Sequence, residues 1–186
     1  MRFAGDGGEL GRLTVPRRAV YPLYLSAKKR YSYIMNEFRA YVMVGAPGSG
    51  KSTFASELAE SENAFVISGD DIRAELYGSA DIQGNWVEIQ DRIEELVSEA
   101  CGMPVILDGT HYRASYRKEA IALLKSYGYT KIEAVVVNPT VETCLKRNAS
   151  RTRKVPEHVI RTMHEKLNAS LKNIYNESFD RINFIF

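Results

Sequence analysis

Gly45-Ala-Pro-Gly-Ser-Gly-Lys51-Ser52 fits the pattern GxxxxGK[ST] without a gap. Its residue types answer one physical demand, holding a run of phosphate oxygens against the backbone. Glycines let the chain curl so that successive N–H groups point inward. The stretch before it, Tyr41-Val-Met-Val, is a short apolar run of the kind that forms a buried strand. Residues 51–61 have helix-forming composition, and a helix starting there adds its positive N-terminal end. The pattern therefore predicts a nucleoside triphosphate site. Lys51 is expected to span the β- and γ-phosphates and Ser52 to hold Mg²⁺ through its hydroxyl. Gly45, Pro47, Gly48, Ser49, Gly50 and Thr53 complete the expected nucleotide cradle.

Outward from this loop, short apolar runs alternate with helical patterns. Ala64-Phe-Val-Ile67, Pro104-Val-Ile-Leu107 and Ile132–Val137 read as further strands, and Ile182-Asn-Phe-Ile-Phe186 as a last one. Helices are predicted over 85–100, about 113–127, 141 to near 148, and from Pro156, a residue suited to a first turn. Trp86, Ile89, Ile93, Leu96, Val97 and Ala100 recur at helical spacing, which assigns Trp86 to the core. This alternation predicts an α/β fold, a parallel sheet of about five strands with helices on both faces. Such sheets gather function at the carboxyl ends of their strands. Those ends here carry the glycine loop, Ser68-Gly-Asp70-Asp71, Asp108-Gly-Thr-His111 and Asn138-Pro-Thr140.

The chain has 186 residues, room for one well-buried domain, expected over 39–186. Residues 1–38 fit the alternation poorly and read as an N-terminal extension. Leu23, Ala27, Tyr31, Ile34 and Phe38 could form the stripe of an accessory helix. Tyr21, Tyr24, Tyr31 and Tyr33 among Lys28-Lys-Arg30 could equally stack on a nucleic acid strand. No apolar run approaches the roughly 20 residues of a membrane span. The N-terminus lacks the apolar core of a secretory signal, so a cytoplasmic protein is expected. Cys101 and Cys144 form no motif and read as reduced thiols. His111, His158 and His164 lack metal-ligand spacing and read as surface residues or supports behind the site.

The net charge of +2 hides a segregation. Residues 57–99 carry twelve acidic against two basic residues, while 144–186 carry nine basic against four acidic. A polyanion could meet the basic C-terminal third. The acidic segment suits that partner only if its helix turns away from the acceptor.

Given a bound triphosphate, the carboxylates beyond the next strand acquire a role. Moving a phosphoryl group to an alcohol needs a base beside the acceptor hydroxyl. Asp70 or Asp71 can supply it, and Arg73 can grip an anionic group on the acceptor. Asp108 ends an apolar strand where a carboxylate organises the metal and its waters; the plainer reading is a turn cap. Cys144–Lys154 is rich in arginine and reads as a lid whose Arg147, Arg151 or Arg153 neutralises the phosphoryl group in transit.

Together these residues resemble the kinase domain of the phage polynucleotide kinase-phosphatase family, with a P-loop kinase fold and a basic lid. The likeness runs from about Tyr41 to Leu167. It is densest in the glycine loop, Asp70-Asp-Ile-Arg73, Ile106-Leu-Asp-Gly-Thr110 and Lys146-Arg-Asn through Val155-Pro156. The resemblance implies ATP and Mg²⁺ as cofactors and DNA or RNA 5′-hydroxyl ends as acceptors. It implies Asp70 as general base, Arg73 as the clamp on the acceptor's phosphate and Asp108 as the family's strand-end aspartate; Asp71 and Asp108 are further expected on the acceptor side, and Ser52 with Asp108 at the metal. It further implies Arg147 and Arg151 as lid arginines, with Arg151 on the donor phosphates. The lid is one residue shorter than in the phage enzyme, which leaves the choice among the three lid arginines open. The alternative acceptors are a small-molecule hydroxyl (a nucleoside, a sugar or an antibiotic) or the hydroxyl of an aminoacyl-tRNA. A nucleotide-binding module without turnover is the competing reading from another class.

Overall fold

Strand β1 (Arg39–Val44) forms the centre of a five-stranded sheet because its alternate side chains serve two different cores. A computed structural model describes residues 38–100 and 102–185. The remaining elements are α1 (Lys51–Glu62), β2 (Phe65–Ser68), α2 (Gly69–Tyr77), α3 (Trp86–Glu99), β3 (Val105–Asp108), α4 (Ala114–Ser126), β4 (Lys131–Val137), α5 (Val141–Ala149), α6 (Glu157–Leu171) and β5 (Arg181–Ile185). A single 3-10 turn, Ile174–Asn176, precedes β5. The N-terminal extension, with its tyrosines and lysines, lies outside the described residues, as does Cys101.

Among the described residues all strand pairings are parallel, and the strand order is β2-β3-β1-β4-β5. Ala40, Val42 and Val44 point to one face with Ile132, Ala134 and Val136. There they meet Ile72 of α2, Ile89 and Val97 of α3, Leu124 of α4 and Leu167 of α6. Tyr41 and Met43 point to the other face with Ile106, Val135 and Val137, against Ala55, Phe54 and Leu58 of α1. A strand apolar on both sides is what a parallel sheet covered by helices requires. Each fully buried Val or Ile contributes roughly 1.5–3 kcal/mol.

The connection after β1 returns not to a neighbouring strand but to β2, beyond β3. Chain direction therefore switches beside β1, which opens a crevice at the carboxyl ends of the strands. The strands and helices expected beyond residue 38 are present, and Trp86 departs from its expected place. It opens α3 with 55% of its surface exposed, so it is not a core residue. Ile89 and Val97, further along the same stripe, are buried. The stripe holds, but its first residue overhangs the packed region.

Candidate active site

The loop from Gly45 to Gly50 is held by its neighbours. The Gly45 N–H donates to the Thr110 carbonyl at 2.9 Å, tying the loop to the segment after β3. A Cβ on Gly45 would sit 2.6 Å from the Val137 carbonyl oxygen. Gly48 has φ +80°, and a Cβ there would lie 2.4 Å from the Cys144 carbonyl oxygen of α5. Ala46, Cys144 and Ile160 form a small apolar cluster beneath the loop. Gly50 has φ +99° and caps α1 without a side-chain acceptor, so the first N–H groups of that helix keep no capping side chain. Pro47 and Ser49 are buried, whereas Ser52 and Thr53 are exposed on the first turn of α1.

Lys51 sits at the start of α1 in a ring of charges. Burial pushes its ammonium below the ordinary lysine range, while Asp108 and Asp70 pull the other way and Arg151 adds to the depression. Of the expected site residues, Asp108, Asp70 and Arg151 thus all act on Lys51. Asp108 is paired in register with Ser68 on β2. Its Oδ1 is buried and has no hydrogen-bond partner, an arrangement that asks for a ligand.

Asp70 and Asp71 occupy the first turn of α2, where the helix dipole favours negative charge. The Ser68 hydroxyl caps that turn by accepting from the Asp71 N–H at 3.3 Å. Asp71 itself is exposed. Arg73 Nη1 donates to Asp70 Oδ1 at 2.8 Å and to the Gly69 carbonyl at 3.0 Å, and its buried Nε has no partner. A spare donor therefore remains beside the carboxylate.

The lid arginines, left open by the sequence, divide between two sides. Arg147 donates to the Ser49 carbonyl, and its Nη1 would lie 3.1 Å from a Cβ on Gly50. Arg147 and Arg151 line one small cavity with Gly48, Gly50, Lys51, Ser52 and Thr53. Arg153 turns the other way, donating to Asp70 Oδ2 at 2.8 Å and to Asp81 Oδ1 at 2.5 Å. The acidic segment is thus not wholly turned away from the site, since Asp81 meets the lid. Asn148 closes the lid loop: its Nδ2 donates to the Val155 carbonyl at 2.9 Å and its Oδ1 accepts from the Val155 N–H at 3.0 Å.

Sequence reasoning understated His111. It adopts φ +39° and its Nδ1 lies 2.8 Å from the Met43 carbonyl, so that nitrogen carries the proton. Burial pushes its imidazole pKa down. His158 is exposed, and His164 bonds the Pro139 carbonyl at 2.9 Å. The Cys144 thiol is free and buried, with its pKa raised by that burial. Among the described residues no group of three His, Cys, Asp or Glu side chains forms a metal cluster, and no helix is long and apolar enough to cross a membrane.

Comparison with known proteins finds similar kinases. The chain is 30% identical over 136 residues to L-seryl-tRNA(Sec) kinase of Methanococcus maripaludis, covering 67% of this chain and 51% of that protein. It therefore spans about half the length of that curated relative. It is 25% identical over 130 residues to adenylate kinase of Campylobacter fetus subsp. fetus, covering 62% of this chain and 68% of that one. A chain of the Pnkp1/Rnl/Hen1 RNA repair complex superposes with a TM-score of 0.66 at 24% identity, over 74% of this chain and 47% of its own length. Residues 41–170 match the AAA domain family AAA_33. That match takes in the glycine loop, the Asp70 turn, Asp108 and the lid, and the chain belongs to this family, with the fold and nucleotide loop of a P-loop kinase.

Proposed function

We propose that the protein is an ATP-dependent polynucleotide kinase, transferring the γ-phosphoryl group to 5′-hydroxyl ends of DNA or RNA. One observation carries this reading: Asp70 shares the rim with Lys51 and stands between two guanidinium groups, those of Arg73 and Arg153. A carboxylate with arginines on either side suits an acceptor that brings both a hydroxyl and a phosphate. The acceptor oxygen attacks the γ-phosphorus, its proton passes to Asp70, and the bond to the β,γ-bridging oxygen breaks to release ADP. Lys51, Arg147 and Arg151 balance the charge on the oxygens in transit. Arg73 and the exposed Asp71 orient the acceptor.

Asp108 and Ser52 fit Mg²⁺. The orphaned Asp108 Oδ1 supplies one hard oxygen and the Ser52 hydroxyl another. Mg²⁺ commonly binds through one or two protein oxygens, several waters and the substrate's phosphates. When bound, the ion neutralises charge on the β- and γ-phosphates.

The aminoacyl-tRNA hydroxyl is the second reading, favoured by the 30% identity to L-seryl-tRNA(Sec) kinase. The test is transfer of labelled γ-phosphate from ATP to a 5′-hydroxyl oligonucleotide, its 5′-phosphorylated twin and seryl-tRNA. Label on the hydroxyl oligonucleotide alone supports the first reading. Label on seryl-tRNA alone supports the second and overturns the first.

A further inference from the structure

The two oxygens of Asp70 are both taken. Arg73 Nη1 holds Oδ1 at 2.8 Å and Arg153 Nη1 holds Oδ2 at 2.8 Å. Each oxygen keeps a second lone pair, but an incoming hydroxyl has to share Asp70 with the guanidinium groups already seated on it. Departure of one partner would leave that oxygen to the acceptor hydroxyl alone.

The two arginines differ in how firmly they are held. Arg73 is on the same helical turn as Asp70, and its Nη1 is also anchored to the Gly69 carbonyl at 3.0 Å. Arg153 comes from the lid, 83 residues away in sequence, and bridges from Asp70 to Asp81 on the α2–α3 connection. Its side chain is 34% exposed, facing an Asp70 side chain that is 56% exposed. An ion pair that wet is readily exchanged for another anion. Arg153 is the more exposed of the two partners, and the one whose exchange leaves α2 undisturbed.

We infer that Arg153 is the residue that selects a phosphate-bearing acceptor, by exchanging Asp70 for the acceptor's first phosphodiester. Arg153 occupies Asp70 Oδ2 and ties the lid to Asp81. An acceptor with a phosphate next to its terminal nucleoside draws the guanidinium onto itself. That exchange frees Oδ2 for the acceptor hydroxyl and keeps the lid closed over it. An acceptor without the negative charge leaves Arg153 on Asp70, and the base stays engaged. Recognition of the phosphate and release of the base become one event. The inference rests on the reading of Asp70 as the base of a polynucleotide kinase.

The test compares two 5′-hydroxyl oligonucleotides, one with an ordinary first phosphodiester and one with a neutral methylphosphonate there. The full chain and its Arg153→Gln and Arg153→Lys variants are assayed, with ATP affinity measured for each to establish folding. The wild type is expected to prefer the charged acceptor by about tenfold or more, the scale of one charged hydrogen bond. Arg153→Gln is expected to narrow that preference from both ends. Its kcat/KM for the charged acceptor falls about tenfold, mostly in KM, while the neutral acceptor is used as well as by the wild type or better. Arg153→Lys, which keeps the charge, recovers part of the preference. Equal losses on both acceptors would reduce Arg153 to a lid support, and no change on either would leave the ion pair without a role. Both results overturn the inference while sparing Asp70. A wild type with normal ATP affinity that labels neither oligonucleotide overturns the polynucleotide reading itself, and this inference with it.

Discussion

The carbonyl oxygen of Cys144 lies 2.4 Å from the point where a Cβ on Gly48 would sit. The phosphate loop therefore rests directly on the first turn of α5, the helix that leads into the lid, and glycine alone permits that approach. Gly78 has nearly the same dihedral, φ +77° against +80°, but nothing within 4 Å of its would-be Cβ. The pair separates strain from collision. Gly78→Ala is expected to cost only the strain of a left-handed backbone, about 1–2 kcal/mol, with ATP affinity unchanged. Gly48→Ala adds a collision with the Cys144 carbonyl and is expected to weaken ATP binding, lowering kcat/KM by about 10²-fold. Urea unfolding and ATP titration on both variants check this. Similar ATP affinities in the two would contradict the seating of the loop on α5.

Asp70→Asn keeps the shape of the side chain and removes its ability to take a proton. ATP binding is expected to survive, since the proposed role sets Asp70 against the acceptor and not the nucleotide. Turnover is expected to fall by about 10²-fold or more. Single-turnover transfer with ATP in excess is the measurement. Turnover within a few-fold of wild type would move the base to Asp71 or Asp108.

The sequence shows most clearly where one residue type has one physical use. The glycine loop is unmistakable because Gly48, Gly50 and Lys51 each answer a requirement of phosphate binding. The strands are legible because Val42, Val44, Val105 and Val136 are buried by a sheet covered on both faces. Trp86 misleads because helical periodicity records the direction of a side chain, not whether anything covers the helix end. The contact of Arg153 with Asp70 joins positions 83 residues apart, and no local pattern encodes which of three lid arginines turns that way. Asn148 and Val155 figure in the resemblance to a kinase family, yet their reciprocal hydrogen bonds show that they close the lid.

His111 makes stability depend on pH. Its imidazole is enclosed beside the Met43 carbonyl, and burial holds its folded-state pKa below the ordinary 6.5. The unfolded chain therefore binds the extra proton, and stability falls as the pH drops through that value. The stabilisation is fully present above 6.5 and declines below it, at most about 1.4 kcal/mol per pH unit. His111→Asn is the informative variant, because asparagine tolerates the left-handed φ of +39° and does not titrate. Unfolding midpoints from about pH 7.5 to about pH 5.5 are expected to drop less in the variant than in the wild type. Parallel curves would assign the acid sensitivity to other groups.

Arg117 and Glu177 form a buried ion pair behind the site, with side-chain exposures of 0% and 4%. Nε and Nη2 donate to the two carboxylate oxygens at 2.7 and 2.6 Å, and Nη1 donates to the His111 carbonyl at 2.9 Å. The neighbouring Thr110 carbonyl accepts from Gly45. The pair thus fixes the segment on which the phosphate loop leans. Glu177→Ala strands a guanidinium in the core and is expected to cost about 3–5 kcal/mol. The double change Arg117→Met with Glu177→Leu removes both charges and is expected to cost less than Glu177→Ala alone, because no unpaired charge remains. It also deletes the hydrogen bond to His111, so its ATP affinity should fall even where its stability recovers. Urea unfolding and ATP titration on the two proteins separate these effects. A double variant less stable than Glu177→Ala would mean that the polar contacts of Arg117 to His111 and Ser170 matter more than the ion pair.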